Sequence, residues 1–303
     1  MLKSKTGVST IEADAMLRSR SLSQLALIRL RNDKLSMAAI AVLLLLTLLS
    51  AGAPLITGIL GVDPNTTNAA EAKHLPVFSA GHILGTDNLG RDHLSRLLYA
   101  GQVSLLIGFL SGTLALAVGV TLGILTGYFG GILDDMLYWV ITTLNSIPVL
   151  VLLIVISTIF QPDAGTLIFS LVLLIWTLTC RLVRGETLSI RSREYIVSAK
   201  AVGASDARIM LVHILPNIFS VTIINLVIII GNVILIESAL SFLGLGVQPP
   251  TATWGNMLSK SREFFKVAPH LVFFPGILIS TVVLCLYIIG DGLRDAFDPT
   301  AKD

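Results

Sequence analysis

Long uncharged runs alternate with short polar segments along this chain, and they predict its elements. Marking every Asp, Glu, Lys and Arg leaves six gaps: Leu35 to Val62, Leu97 to Leu133, Met136 to Pro162, Ala164 to Cys180, Ile209 to Ile236 and Val267 to Gly290. A helix that crosses the hydrocarbon core needs about 20 largely uncharged residues. The fourth gap is short, but Arg181 and Arg184 can snorkel to the headgroups at its inner end. The second exceeds one span, and Tyr99 to Ser104 reads as interfacial. The pattern predicts an all-α polytopic bundle with six transmembrane helices, over residues 35–59, 100–128, 135–160, 165–183, 216–240 and 270–290. Continuous apolarity without two-residue alternation excludes an outer-membrane barrel.

Composition points the same way. Charged residues make up 13% of the 303 positions and the mean hydropathy is +0.84, whereas soluble domains carry about 25% charge. A net charge of +2 gives no argument for a nucleic-acid partner. Cys180 and Cys285 both lie in apolar runs, so no disulfide framework is expected.

Lys and Arg placement orients the bundle. The tail, residues 1–34, carries Lys3, Lys5, Arg18, Arg20, Arg29, Arg31 and Lys34. Arg181, Arg184, Arg191, Arg193, Lys200 and Arg208 follow span four, and Arg294 and Lys302 follow span six. Those fifteen face six on the other side: Lys73, Arg91, Arg96, Lys260, Arg262 and Lys266. Both termini are therefore expected in the cytoplasm. The first run reads as a retained span and not as a signal peptide.

Three connections carry candidate chemistry. The first outer one contains GHILGTDNLGRDHLSRLLYAG, with turn residues at Gly85 to Asn88 and apolar Leu94, Leu97 and Leu98 at helical spacing. It predicts a short amphipathic surface helix that either seals span two or docks an external partner, with Asp87, Arg91 and Asp92 as candidate contacts. The second, SFLGLGVQPPTATWGNMLS, must leave regular structure at Gly244, Gly246, Pro249 and Pro250. It reads equally as an outer gate or as a cap on the bundle, with Trp254 as a further candidate. The inner connection, residues 186–215, predicts a helix from Glu194 to Val202 with Tyr195, Ala199 and Val202 on one face. Gly203 then stands at the left-handed position past its end, and Ser205 caps a second helix from Asp206. Pro216 ends that second helix or kinks it into span five. The small tip, Ala201, Gly203, Ala204 and Ser205, suits a groove on another protein or packs on its own bundle.

Inside the spans, Glu237 is the one deep acidic residue and either meets substrate in a pathway or pairs with a neighbouring helix. Asn225 and Asn232 share a face and carry the same two readings. Gly108, Gly112, Gly119, Gly123 and Gly127 form a packing stripe. No two of the five histidines fall at i,i+3 or i,i+4, so no metal-ligand cluster is visible. No GxxxxGK[ST] loop occurs, so no nucleotide is expected on this chain. HExxH and GxSxG are absent as well.

SREYIVSAKAVGASDARIMLVHILPN resembles the cytoplasmic loop of ABC importer permeases, whose form is E-A-A, three residues, Gly, nine residues, then I-x-L-P. Gly203 stands thirteen residues before Pro216, as that form requires. Val197 and Ser198 replace its Glu and first Ala, Ala199 keeps the second, and His213 replaces its Ile. GTDNLGRD, SFLGLGVQPP with TWGNML, and the C-terminal GDGLRDAFDP are similar to the dipeptide/oligopeptide/nickel branch, over about Arg29 to Pro299. The resemblance implies a type I ABC importer permease of the inner membrane that catalyses nothing itself. It implies a second, similar permease, two ATPase subunits that use ATP, an external solute-binding protein and a peptide substrate. Coupling falls to the 194–216 segment. The other readings are the same machinery carrying nickel chelates, a self-contained secondary transporter, or a membrane scaffold.

Overall fold

The computed structural model describes residues 22–70, 72–79, 81–160 and 163–298. Lys3, Lys5, Arg18 and Arg20 of the tail, and Pro299 and Lys302 at the other end, lie outside the described residues. Helix α1 (Leu22–Asn32) leads into α2 (Lys34–Ala51) through Asp33, whose carboxylate accepts from the N–H groups of Leu35 and Ser36 at 3.1 and 3.2 Å. α3 (Ala53–Leu60) follows a break at Gly52. Then come α4 (His93–Phe129), α5 (Gly131–Asn145), α6 (Val149–Ile159), α7 (Ala164–Arg191) and α8 (Glu194–Ala201). A short α9 (Asp206–Arg208) passes through a π turn (Ile209–Ile214) into α10 (Leu215–Phe242). α11 (Trp254–Met257) and α12 (Ser261–Phe264) sit in the outer connection, and α13 (His270–Phe297) ends the bundle. Among the described residues there is no strand, only the isolated bridges Ser79–His82 and Thr86–Asp92.

α4 is the central helix, packed against α7 and α10, with α13 outside α10 and α2 lying against α13 and α4. Burial inside a bundle gains little over lipid tails, so tight van der Waals contact must hold these helices together. The glycine stripe supplies it in two directions. A Cβ on Gly108 or Gly112 would stand 2.6 or 2.8 Å from Ile234 and Ile230 of α10. On Gly119, Gly123 or Gly127 it would stand 2.5 to 2.8 Å from Thr179, the Cys180 carbonyl and Thr187 of α7.

The structure corrects or refines four sequence expectations. No separate surface helix precedes span two: α4 begins at His93, capped by Asp92 Oδ1 accepting from Ser95 N–H (2.7 Å), and runs unbroken for 37 residues. Nothing between Leu98 and Ser104 stops a helix, and Leu97 turns into the core. The run 135–160 is not one straight span, because α5 and α6 meet at 82° around Pro148; proline lacks an N–H and disfavours helical backbone in the residue before it. The fourth span continues as helix to Arg191, well past residue 183. Of the two readings of Pro216, termination is excluded and continuation into span five stands: the helix runs through it from Asp206 to Phe242, the wider π turn Ile209–Ile214 accommodating the ring while Asn217 Nδ2 donates to the His213 carbonyl at 2.6 Å.

Candidate functional site

The inner connection forms a rigid elbow. α8 ends at Ala201, Gly203 takes φ +90°, and two bonds close the end: Gly203 N–H to the Lys200 carbonyl and Ala204 N–H to the Ala199 carbonyl, both 3.0 Å. This 6→1 and 5→2 pair is the Schellman arrangement, which requires a residue tolerant of positive φ. Ser205 Oγ accepts from Arg208 N–H (3.4 Å) and starts α9. Ile196, buried, anchors α8 in an apolar cluster with Ile124, Tyr128, Val183 and Ile209. Asp206 accepts from the Tyr128 hydroxyl at 2.5 Å, the Lys200 ammonium lies over the Tyr128 ring at 5.6 Å, and Arg191 donates to the Tyr128 carbonyl at 2.7 Å. Tyr195, Val197, Ala201, Gly203, Ser205 and Pro216 stay exposed, Ala199 and Ala204 half-buried, and Val202 at the tip is 90% exposed. Beside them opens a recess of about 550 Å³ bounded by Tyr128, Arg191, Val197, Lys200 and Asp206.

The candidate pathway residues face their own bundle. Asn225 Nδ2 donates to Thr179 Oγ1 of α7 at 3.0 Å, and Tyr287 of α13 donates its hydroxyl to Asn232 Oδ1 at 2.8 Å. Glu237 is fully buried and accepts from Ser241 Oγ at 2.8 Å. All three sit at helix–helix contacts, Asn232 the most open of them.

The outer candidates turn inward in the same way. Asp87 accepts from Leu89 and Arg91 N–H groups (2.8 and 3.0 Å), binds the Arg91 guanidinium at 2.6 Å and lies 3.6 Å from Arg96 Nε. Asp92 holds His82 Nδ1 at 2.8 Å besides capping α4. Trp254 is 1% exposed, donating Nε1 to the Leu97 carbonyl at 3.0 Å and its N–H to Ser104 Oγ at 3.1 Å. Gly246 is pressed against Ser241, whereas Gly244 (φ +79°) is exposed at the turn. Asp87, Asp92 and Trp254 thus knit the connection to the bundle, as the cap reading of this side expects, and Arg91 remains half-exposed. A pocket of about 190 Å³ between Asp87, Arg91, Arg96 and Lys260 opens on this side. Burial and neighbouring Lys73 push the His74 imidazole down, while the N–H groups of Asn65 and Thr66 hold the Asp63 carboxyl below the usual range. The rings of His93 and His270 meet edge to face at 5.8 Å. Among the described residues no three His, Cys, Asp or Glu side chains gather to hold a metal ion.

Comparison with known proteins then places the chain. Residues 119–303 match the family model of the binding-protein-dependent transport system inner membrane component, and residues 21–76 match the N-terminal TM domain of oligopeptide transport permease C. The chain belongs to this permease family. It is 38% identical to the dipeptide transport system permease protein DppC of Alkalihalophilus pseudofirmus, over 90% of this chain and 88% of that one. It is 35% identical to the oligopeptide transport system permease protein OppC of Escherichia coli, over 99% of each. It is also 38% identical to the glutathione transport system permease protein GsiD of Pectobacterium atrosepticum, over 74% of each.

In this permease the elbow is held by residues that sequence reasoning passed over. Tyr128 closes span two and reads there as an ordinary interfacial aromatic, yet Asp206, Lys200 and Arg191 all converge on it. Ile196 stands between Tyr195 and Val197 on the same short helix, and nothing in the sequence marks it as the one that turns inward.

Proposed function

We propose that this permease is one of two similar membrane subunits that enclose the pathway of an ATP-driven importer for dipeptides or oligopeptides. The observation that carries the reading is the elbow: a Gly203 turn fixed by two backbone bonds, presenting Tyr195, Val197 and Val202 to a partner on the side where Lys and Arg accumulate. Large exposed apolar side chains outside lipid mark a protein-binding surface. That side is the cytoplasm, both termini face it, and the partner is an ATPase subunit. ATP binds and is hydrolysed there; this chain binds no cofactor and catalyses nothing. An external binding protein delivers the peptide. Closure of the ATPase pair moves α8 and α9 as one body, because Ile196 and Ile209 are locked under Tyr128, and the bundles rock between two packed states.

The test is recovery of the chain from its native membrane in mild detergent, with subunit stoichiometry by mass spectrometry. One other permease and two ATPase copies are expected. Recovery alone or as a homo-oligomer, from complexes otherwise preserved, would overturn the reading.

A further inference from the structure

The apolar run over residues 131–159 breaks inside the membrane. α5 ends at Asn145 and α6 starts at Val149 at 82° to it. At the end of α5, Ser146 N–H donates to the Thr142 and Thr143 carbonyls (3.1 and 3.3 Å) and Ser146 Oγ to the Thr142 carbonyl (2.7 Å). Ile147 N–H makes one last, long bond to the Leu144 carbonyl (3.5 Å), and there the ladder stops, because Pro148 has no N–H to give. The carbonyls of Asn145, Ser146 and Ile147 and the N–H groups of Val149 and Leu150 have no hydrogen-bond partner among the described residues.

Depth matters for these five groups. Asn145 Oδ1 accepts from Thr177 Oγ1 at 3.2 Å. Thr177 stands 13 residues into α7 from its outer end, about 20 Å at the helical rise, in a hydrocarbon core about 30 Å thick. Backbone that leaves the helix at this depth does not survive against lipid; it must be covered by protein or line a water-filled cavity. Four polar side chains favour the second, although the Thr143 and Ser146 hydroxyls also donate to the Trp139 and Thr142 carbonyls of their own helix at 2.9 and 2.7 Å. Thr142, Thr143, Asn145 and Ser146 are all exposed on the uncovered side of the chain, whereas Ile141 alone of α5 is buried.

We propose that the Asn145–Leu150 break lines the translocation pathway and hydrogen-bonds the main chain of the passing peptide. The three carbonyls accept from peptide N–H groups, and the two N–H groups donate to peptide carbonyls. Contacts of this kind ignore side-chain identity, so a pathway built on them passes peptides of varied sequence. The inference rests on the importer reading above and specifies where that pathway touches its cargo.

The test uses Ser146→Cys in the complete complex in membrane vesicles, with a membrane-impermeant maleimide. Cys180 and Cys285 are buried, which keeps the background low. The thiol is expected to react. Saturating tripeptide with its binding protein should slow the reaction about tenfold, the effect of one or two hydrogen bonds. An N-methylated tripeptide that also saturates the binding protein should slow it much less. Failure to label, or equal protection by both peptides, overturns the proposal. Pro148→Ala, which restores the missing donor, should lower peptide uptake at unchanged complex yield; a fall in yield instead marks the break as a subunit contact and overturns it. A parent complex that takes up no peptide removes both this proposal and the importer reading. A parent that transports peptide but fails the labelling test removes this proposal alone.

Discussion

The guanidinium of Arg184 on α7 grips the carboxylate of Asp134 on α5, Nε to Oδ1 at 2.5 Å and Nη2 to Oδ2 at 2.6 Å. Ile141 is the only buried residue of α5, so this fork fixes the inner end of a helix that little else holds. Planar two-point pairing is specific to arginine. Asp134→Ala should destabilise the complex by about 2 kcal/mol, as expected when a charged hydrogen-bonded partner is left unpaired. Arg184→Lys should restore only part of the parent stability, because an ammonium cannot make the fork. Thermal unfolding of the purified complex reads both; equal stability of Asp134→Ala and parent would contradict the role.

Gly203 supplies conformation and not space. A Cβ there would meet nothing within 4 Å in this chain, but φ is +90°. The expected order of uptake is therefore Gly, then Asn, then Ala, with Val lowest, since Asn tolerates left-handed backbone and β-branched residues do not. Val at this position should uncouple ATP hydrolysis from uptake, the strain being on the order of 1–3 kcal/mol. Uptake by Gly203→Val equal to the parent at matched expression would remove the elbow from the coupling account.

Two glycines of one stripe should differ. At Gly123 an added methyl meets the Cys180 carbonyl oxygen at 2.8 Å, and backbone cannot step aside. At Gly108 it meets the Ile234 side chain at 2.6 Å, which can change rotamer. Gly123→Ala should cost about 1–3 kcal/mol, as overpacking does, and Gly108→Ala less. Detergent-extracted yield and melting temperature compare them; a reversed order would show that α4 meets α7 more loosely than these distances state.

Glu237 lies fully inside the bundle with Ser241 as its partner. Glu237→Gln, which keeps shape and hydrogen-bonding capacity, should leave uptake and peptide preference unchanged. Glu237→Leu strands the Ser241 hydroxyl and should lower complex yield. A changed peptide preference in the Gln variant would return this side chain to the pathway.

Much of this architecture was legible because the membrane imposes it. Uncharged length marks helices when water is absent, and the Gly203 elbow was legible because a positive φ between two helical patterns calls for glycine. What stayed hidden depends on pairs far apart in the chain. Asp87, Asp92 and Trp254 read as outward-facing loop residues until Arg91, His82 and the Leu97 carbonyl claim them. Asn225 read equally as pathway lining or as a bridge between helices, and only its bond to Thr179 of α7 chooses the bridge. The break before Val149 left hydropathy unchanged, because one missing N–H at Pro148 alters direction and not apolarity.

The account turns on whether the complex containing this chain pumps peptide. Proteoliposomes carrying the purified complex, with ATP inside and binding protein with a labelled tripeptide outside, test this most directly. Accumulation of peptide above the external concentration, abolished when ATP is withheld, is the predicted result. Equilibration at the same rate without ATP would contradict it and assign the chain to a self-contained transporter.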